Sequence, residues 1–313
     1  MGTRSGATVD VTNTGDPTYW ARPTFIDKRL AKMLGRGSVS LVLGAGASAG
    51  FMLPGWDRLV EDIYTDVGAT MPTKSTSPTA LADALKRTHF KDRDLEFSKV
   101  VRKVLYKDYS ASATAVLTSP LLQAIGSFLA SSMRGSAGSL ITFNFDDLVE
   151  TYLQTMGFVV TSEPKAPFWK LNADMQVLHP HGLLPIANEA ACTNIVFTDS
   201  DYVRVIGRAA DAWNASMHAT LSGTTAVFVG LSGDDLRLRS VLEQVKESHV
   251  ATKSGHAYWA VRATLKTEDD TRVEMWRELG VAPRFLDAYA DIPAWLLGIC
   301  RQSAATMSSR LVR

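Results

Sequence analysis

Residues 38–50 have the sequence SVSLVLGAGASAG, and this stretch decides the fold of the chain. The first six residues form a compact, mostly apolar run, which predicts a buried β-strand. Glycines at positions 44, 46 and 50 follow directly, and glycine lets the backbone turn sharply and approach a ligand closely. A buried strand that runs into a glycine loop is typical of the first unit of a nucleotide-binding α/β sheet.

Strand-like and helix-like segments alternate along the rest of the chain. Further strands are predicted at residues 140–143, 157–160, 175–178, 226–229, 256–261 and 284–286. Helical patterns separate most of them, including one long helical stretch over residues 202–221. This alternation predicts an α/β fold with a Rossmann-like, doubly wound parallel sheet. Ligands of such sheets bind outside the carboxyl ends of the strands, so polar residues that follow the strands should converge there.

The chain divides into a short arm and one domain. Residues 1–24 are rich in Thr, Gly, Ser and Pro, which predicts a flexible N-terminal arm. Residues 25–313 form the predicted domain. The pattern from about 75 to 136 is almost entirely helical and too long for a simple crossover, so we expect an inserted helical subdomain there.

Composition argues against several classes of protein. Lys and Arg total 33 against 32 for Asp and Glu, so charge provides no case for direct nucleic-acid binding or for a membrane surface. No apolar stretch approaches the roughly 20 residues that span a bilayer. The two cysteines, Cys192 and Cys300, cannot form a four-cysteine zinc site and are expected to be free thiols. We therefore expect a cytoplasmic protein.

The glycine loop fits the dinucleotide pattern G-x-G-x-x-G/A through Gly44, Gly46 and Ala49. No Lys-Ser/Thr pair follows, which argues against a Walker-type ATPase. The acidic residue that dehydrogenases need about 20 positions later falls on an amphipathic helix, which disfavours ordinary hydride transfer. Residues 51–56, ending at Trp56, suggest a different wall around the nicotinamide end of a dinucleotide. The alternative is a glycine-rich turn without a ligand.

Polar residues follow three other predicted strands. Asn144 offers a donor and an acceptor to a ribose hydroxyl or a water, and Asp146 could accept from a ribose, although both residue types also cap helices. His181 suits a general base, with a structural histidine as the alternative. His179 and His181 lack a third ligand at a recognisable spacing, so no metal is expected. Ser232 could contact the adenosine ribose or a phosphate, or could cap the next helix.

Four clusters, taken in order, resemble the sirtuin-like NAD-consuming domain. They lie at residues 44–48, 142–146, 181–182 and 229–232. The chain is most similar to the bacterial antiphage-defence branch, with which it also shares features of residues 53–56, 144–148, 197–202 and 230–235. The resemblance extends from about residue 25 to residue 290.

The resemblance implies that NAD binds across the strand ends and that its nicotinamide–ribose bond is cleaved. Asn144 and His181 are the implied catalytic residues: the first holds the nicotinamide ribose or a water, and the second is the base. The candidate NAD-binding residues are Gly44, Ala45, Gly46 and Ser48 at the pyrophosphate, Asp146 at the ribose, Gly230 and Ser232 on the adenosine side, and Trp56 in the nicotinamide wall.

Two departures from protein-deacylating sirtuins favour hydrolysis of NAD. The chain cannot build their four-cysteine zinc ribbon, and the helical insertion takes the place of an acyl-lysine groove. The expected function is an NAD glycohydrolase that yields nicotinamide and ADP-ribose as an effector of antiviral defence. By resemblance we expect a homo-oligomer and an infection-sensing partner, of the helicase-type ATPase or Argonaute type. The alternatives are a non-catalytic nucleotide-binding module and an ADP-ribosyl transferase or deacylase.

Overall fold

The computed structural model describes residues 22–72, 77–91, 93–131, 139–164, 172–207, 211–248, 257–262 and 271–311. Most of the predicted arm, residues 1–21, lies outside these ranges. The strands of the described residues are β1 (Val39–Leu43), β2 (Ser139–Thr142), β3 (Val160–Glu163), β4 (Met175–Leu178), β5 (Thr225–Val229), β6 (Ala257–Arg262) and β7 (Val281–Leu286). The helices are α1 (Pro23–Leu34), α2 (Trp56–Asp66), α3 (Pro78–Leu85), α4 (Asp94–Leu105), α5 (Ala113–Thr118), α6 (Pro120–Ala130), α7 (Leu148–Thr155), α8 (Asp199–Ile206), α9 (Ala212–Gly223), α10 (Leu236–Ser248), α11 (Thr271–Glu278) and α12 (Ile292–Leu311).

The strands form one parallel sheet in the order β3-β4-β2-β1-β5-β6-β7. This confirms the predicted α/β fold with a doubly wound parallel sheet. β1 lies at the centre, where Leu41 pairs with Leu140 of β2 on one side and with Val227 of β5 on the other. All five residues of β1 are buried, as expected for a parallel strand that is covered on both faces.

Helices cover both faces of the sheet. Val39, Leu41 and Leu43 point into a core shared with α1, α6, α7 and α12. Val42 points to the other face, where α9, α10 and α11 supply the core. None of the described helices is both long enough and apolar enough to cross a membrane.

The strand order brings the predicted polar clusters to one edge of the sheet. β4, β2, β1 and β5 are consecutive neighbours, so the segments after their carboxyl ends lie side by side. The chain leaves β1 for β2 on one side and later places β5 on the other, which makes the end of β1 a topological switch point. Parallel sheets bind ligands at such points.

The helices between β1 and β2 belong to two packing units. α2, α3 and α4 share a separate apolar cluster that includes Phe145 and Phe197. α6 instead packs into the core of the sheet beside α12. The helical region predicted at about 75–136 therefore contains one part that stands apart from the sheet and one part that covers it. Residues 73–76 and 132–138, at its two limits, lie outside the described residues.

Two local predictions are wrong in detail. The strand predicted at 157–160 is found three residues later, at Val160–Glu163, because the chain first turns through Gly157 with a φ of +89°. The single helical stretch predicted over 202–221 is two helices, α8 and α9, separated by residues 207–211. Of those separating residues, 208–210 lie outside the described part of the chain.

Candidate functional site

The glycine loop after β1 packs directly against the turn after β5. The Gly44 N–H donates to the Val229 carbonyl at 3.0 Å, and the Gly46 N–H donates to the Gly230 carbonyl at 2.9 Å. Gly230 has a φ of +74°, and a Cβ there would lie 2.4 Å from the Ala47 nitrogen. A Cβ on Gly46 would lie 2.7 Å from the Gly230 Cα. These glycines are therefore needed for contact between two backbones, whatever ligand they meet.

This packing corrects one expectation for the glycine loop. Gly46 was expected at the pyrophosphate, but its N–H donates within the protein to the Gly230 carbonyl. The Ser48 N–H likewise donates to the Ala45 carbonyl at 3.1 Å within a 3₁₀ turn. Ala45 itself is exposed at the edge of the sheet.

Ser232 lies in the turn after β5, close to the start of α10. Its side chain is exposed and its Oγ accepts from the Asp234 N–H at 3.4 Å, so it stabilises the turn itself. Asp235, and not Ser232, caps α10, because its Oδ1 accepts from the Leu238 N–H at 2.7 Å. Ser232 and Gly230 nevertheless share the strand-end edge with the glycine loop.

A chain of hydrogen bonds links the ends of β1 and β2. Asn144 Nδ2 donates to Ser48 Oγ at 3.0 Å, and Ser48 Oγ donates to Asp146 Oδ2 at 2.8 Å. Ser48 and Asp146 are buried, while Asn144 is partly exposed. The structure therefore brings three predicted site residues together, although Ser48 is 96 residues from Asn144 in the sequence.

Asp146 serves both the site and the helix that follows. Its Oδ1 accepts from the Leu148 N–H at 3.2 Å at the start of α7, which is the capping alternative left open by the sequence. Burial raises the pKa of Asp146 to about 6, against the opposing effect of its hydrogen bonds from Ser48 and Leu148. The carboxyl group is therefore ionised above neutral pH and takes up a proton under mildly acidic conditions.

His181 follows β4, the strand beside β2. Its side chain is 2% exposed and its ring packs edge-on against Phe143, with a centroid distance of 4.8 Å. The Nε2 atom lies 3.3 Å from Asp235 Oδ2, which accepts a 2.8 Å hydrogen bond from the Tyr202 hydroxyl. Nε2 forms no hydrogen bond of good geometry within the described residues. Burial lowers the pKa of His181 despite the nearby Asp235, so the ring is neutral at physiological pH.

The family model for the SIR2-like domain matches residues 138–283. This segment contains β2, β4 and β5 with the polar residues that follow them. Residues 138–283 are therefore similar to the SIR2-like domain. SIR2-like domains use NAD. No curated protein matches the chain.

His179 contacts different residues from those that His181 contacts. Its side chain is fully buried, its Nε2 lies 2.5 Å from Glu150 Oε1, and its Nδ1 lies 3.2 Å from the Asn144 carbonyl oxygen. Burial would lower the pKa of His179, but the Glu150 carboxylate outweighs it and raises the pKa above the usual value. Within the described residues, no group of three or more His, Cys, Asp or Glu side chains is arranged to hold a metal ion.

Trp56 begins α2 and packs against two residues of the segment 138–283. Its ring centroid lies 4.5 Å from that of Phe197 and 6.1 Å from that of Phe145. The half-buried indole therefore joins an aromatic cluster that connects the helices after β1 with the segment after β2. The assignment of Trp56 to a wall of the site stays a prediction.

The sequence analysis assigned no site role to three residues that contact the candidate site residues, directly or through a neighbour, although two of them lie in the segments 197–202 and 230–235 that carry the resemblance. Asp235 contacts His181, and its position after β5 was the signal that could have identified it. Tyr202 and Glu150 lie within helices α8 and α7, where no strand-end position marks them. Their roles depend on which helix faces which strand.

Proposed function

We propose that the chain is an NAD glycohydrolase, which cleaves the nicotinamide–ribose bond of NAD to give nicotinamide and ADP-ribose. The observation that carries the proposal is the hydrogen-bonded chain of Asn144, Ser48 and Asp146 at the end of β2, with His181 at the end of the adjacent strand β4. Both features lie at an edge where parallel sheets bind nucleotides, in a chain whose residues 138–283 are similar to the SIR2-like domain.

The hydrogen-bonded chain fixes which way the Asn144 carboxamide points. Ser48 has one hydroxyl proton, and the Asp146 carboxylate accepts it. The Ser48 oxygen must therefore accept from Asn144, which presents its NH₂ group to Ser48. The Asn144 Oδ1 atom is left as an acceptor for a ribose hydroxyl or for the attacking water.

His181 acts as the base in this proposal. A neutral imidazole accepts a proton, and burial lowers the pKa of His181 so that the neutral form is present at physiological pH. When the ring takes up a proton, the Asp235 carboxylate 3.3 Å away stabilises the new positive charge. A ribose hydroxyl or a water is thereby activated next to Asn144.

NAD supplies a good leaving group, because the nitrogen of its nicotinamide ring is already cationic. Departure of nicotinamide leaves positive charge on the ribose, as in glycoside hydrolysis. The buried carboxylate of Asp146 favours such charge, and Asn144 and Ser48 hold the site in place before the reaction begins. The residues therefore perform binding, orientation and proton transfer.

The residues proposed to bind NAD form two groups, one exposed to solvent and one buried. Ala45 and Ser232 are exposed and are assigned to the pyrophosphate and the adenosine side, with the backbones of Gly44, Gly46 and Gly230 forming the floor between them. Trp56 is assigned to the nicotinamide wall. Ser48 and Asp146 are buried, and they act by holding Asn144 and the ribose site.

Water is the proposed acceptor of the ADP-ribosyl group. The chain has two cysteines, so it cannot form the four-cysteine zinc ribbon of deacylating sirtuins. We further propose, from the resemblance to the antiphage-defence branch, that the enzyme is a cytoplasmic, homo-oligomeric effector that depletes NAD. An infection-sensing partner, a helicase-type ATPase or an Argonaute-type protein, would release its activity, and the near-zero net charge favours such a partner over direct nucleic-acid or membrane contact.

The test is the release of free nicotinamide and ADP-ribose from NAD, measured by mass spectrometry. It is made with the purified chain and with the assembly isolated together with its co-purifying proteins. The active form is then compared with Asn144→Ala, His181→Ala and the control His89→Ala, which changes an exposed histidine. Free ADP-ribose that is lost in the first two variants alone supports the proposal. Transfer to a protein, or no nicotinamide from either preparation, overturns it.

A further inference from the structure

Glu150 and His179 form a buried charged pair next to Asn144. Glu150 is 3% exposed and His179 is fully buried. His179 Nε2 lies 2.5 Å from Glu150 Oε1, and Ser162 Oγ donates to the same carboxylate oxygen at 3.0 Å. The proposed hydrolysis uses neither residue as an acid or a base, although burying such a pair is costly.

The neighbours of the His179 ring determine its charge. Nε2 faces a carboxylate oxygen of Glu150, and Nδ1 faces the Asn144 carbonyl oxygen at 3.2 Å. Both neighbours are acceptors, whereas a neutral imidazole carries one N–H. Only the imidazolium donates to both, and Glu150 supplies the opposite charge that keeps it protonated.

Asn144 is held at three points by this arrangement. Its N–H donates to Thr142 Oγ1 at 3.2 Å, its carbonyl accepts from His179, and its Nδ2 donates to Ser48. The side-chain Oδ1 and the second N–H of the carboxamide remain for a substrate. The His179 contact is the one that ties this residue to the neighbouring strand end, after β4.

We propose that Glu150 and His179 are positioning residues, which lock the backbone of Asn144 so that its carboxamide stays against Ser48. This rests on the proposed function for its effect on catalysis. The orientation of the carboxamide is a separate property of the folded protein and can be measured without NAD. The other explanation is that the pair only ties α7 to β4 and stabilises the fold.

The variant Glu150→Gln keeps the hydrogen bonds from residue 150 through His179 to Asn144, but without the two charges. The carboxamide that this substitution introduces donates to Nε2 of a neutral His179, whose Nδ1–H still donates to the Asn144 carbonyl. The double variant Glu150→Leu/His179→Leu removes both charges together, which avoids leaving one buried charge unpaired. Tyr64→Phe is the matched control, because it removes a buried 2.9 Å hydrogen bond, from α2 to the Leu81 carbonyl of α3, that involves none of Glu150, His179 and Asn144.

Two measurements separate positioning from a purely structural tie. The first is steady-state nicotinamide release by the active form. We expect the double variant to lose about 100-fold in kcat, since small misplacements of a reacting group have effects of that size. We expect its KM to change less than about threefold, and kcat of Glu150→Gln and of Tyr64→Phe to stay within about threefold of the parent.

The second measurement is the NMR signal of the Asn144 side-chain NH₂ in protein labelled with ¹⁵N-asparagine, assigned with Asn144→Asp. If the carboxamide is held in place, its two NH₂ proton signals are shifted from those of a free asparagine and exchange slowly with solvent, in the parent and in Glu150→Gln. In the folded double variant the pair should move to the position of a free asparagine and exchange rapidly. If the NH₂ signals of Asn144 in the double variant are unchanged while its melting temperature falls, the positioning role is wrong, even where NAD is cleaved. If these signals move but no form of the parent cleaves NAD, the proposed function fails and the positioning role stands.

Discussion

The hydroxyl of Ser48 donates to the carboxylate of Asp146 at 2.8 Å, and both side chains are buried between the ends of β1 and β2. Ninety-eight residues separate the two in the sequence, so this contact exists only in the folded sheet. It leaves the Ser48 oxygen to accept from Asn144 Nδ2, so the Asn144 Oδ1 atom takes no part in this chain of hydrogen bonds.

Replacing Ser48 by alanine should release the Asn144 carboxamide. Nicotinamide release should fall by about tenfold or more, because the acceptor oxygen is no longer held in one orientation. Loss of a hydrogen bond to a charged group should also reduce the free energy of unfolding by about 1.5–3 kcal/mol. The control is Ser77→Ala, which removes the hydroxyl that caps α3 at the surface. Equal rates for Ser48→Ala and the parent would contradict the role of the hydrogen-bonded chain.

Asp146 should make the stability of the protein depend on pH. Its pKa is about 6 in the folded protein and 3.8 in the reference state. Between these values the folded protein binds more protons than the unfolded chain, so the free energy of unfolding falls as pH rises from about 4 to about 6. The variant Asp146→Asn has no carboxyl group at this position, so its free energy of unfolding does not fall for this reason. Urea unfolding of both proteins from pH 4 to pH 7.5 should show the variant gaining stability relative to the parent as pH rises. A difference that does not vary with pH would show that burial does not raise this pKa.

Asp235→Asn should slow the reaction without disturbing α10. Asparagine caps helices as well as aspartate does, so the hydrogen bond from the Leu238 N–H is kept. The charge that faces the protonated ring of His181 is lost, and we expect kcat to fall by about tenfold, equivalent to about 1.4 kcal/mol in the barrier. Asp234→Asn, at the exposed neighbouring position, is the control. Unchanged kcat in Asp235→Asn would mean that Asp235 does not support His181.

Gly46→Ala should destabilise the protein through a backbone clash. The added Cβ would lie 2.7 Å from the Gly230 Cα, and overpacking of this kind costs about 1–3 kcal/mol. Gly50→Ala is the control. It makes the same substitution in the same glycine loop, but its Cβ would meet no atom within 4 Å. Chemical unfolding should therefore distinguish the two variants. Similar stabilities would show that the two loops are not in close contact.

The sequence predicted those features that depend on one segment at a time. The strands at 38–43 and 175–178 were recognisable because each is a short, mostly apolar run, and the glycine loop was recognisable from its own residues. Convergence of the polar clusters followed from the parallel sheet. The limits of the helical insertion could not be predicted from the sequence. An apolar helix face has the same spacing whether it packs on the sheet, as α6 does, or on other helices, as α4 does.

The finer structure of the site depends on contacts between distant segments. The G-x-G spacing suggested a pyrophosphate contact, but it is also required by the approach of Gly46 to Gly230, 184 positions later. The Glu150–His179 pair joins a helix to a strand end, and neither residue type alone indicates a charged pair. Nothing in the sequence indicated that His179 and His181, two positions apart, contact different carboxylates.

The most direct test of the account is a crystal structure of the His181→Ala variant grown with NAD. The account predicts intact NAD across the carboxyl ends of β1, β2, β4 and β5, with a hydroxyl of the nicotinamide ribose within hydrogen-bond distance of Asn144 Oδ1. It also predicts that the ribose stands next to the space that the imidazole of residue 181 vacates. NAD bound away from these strand ends, or with its nicotinamide ribose out of reach of Asn144, would contradict the central claim.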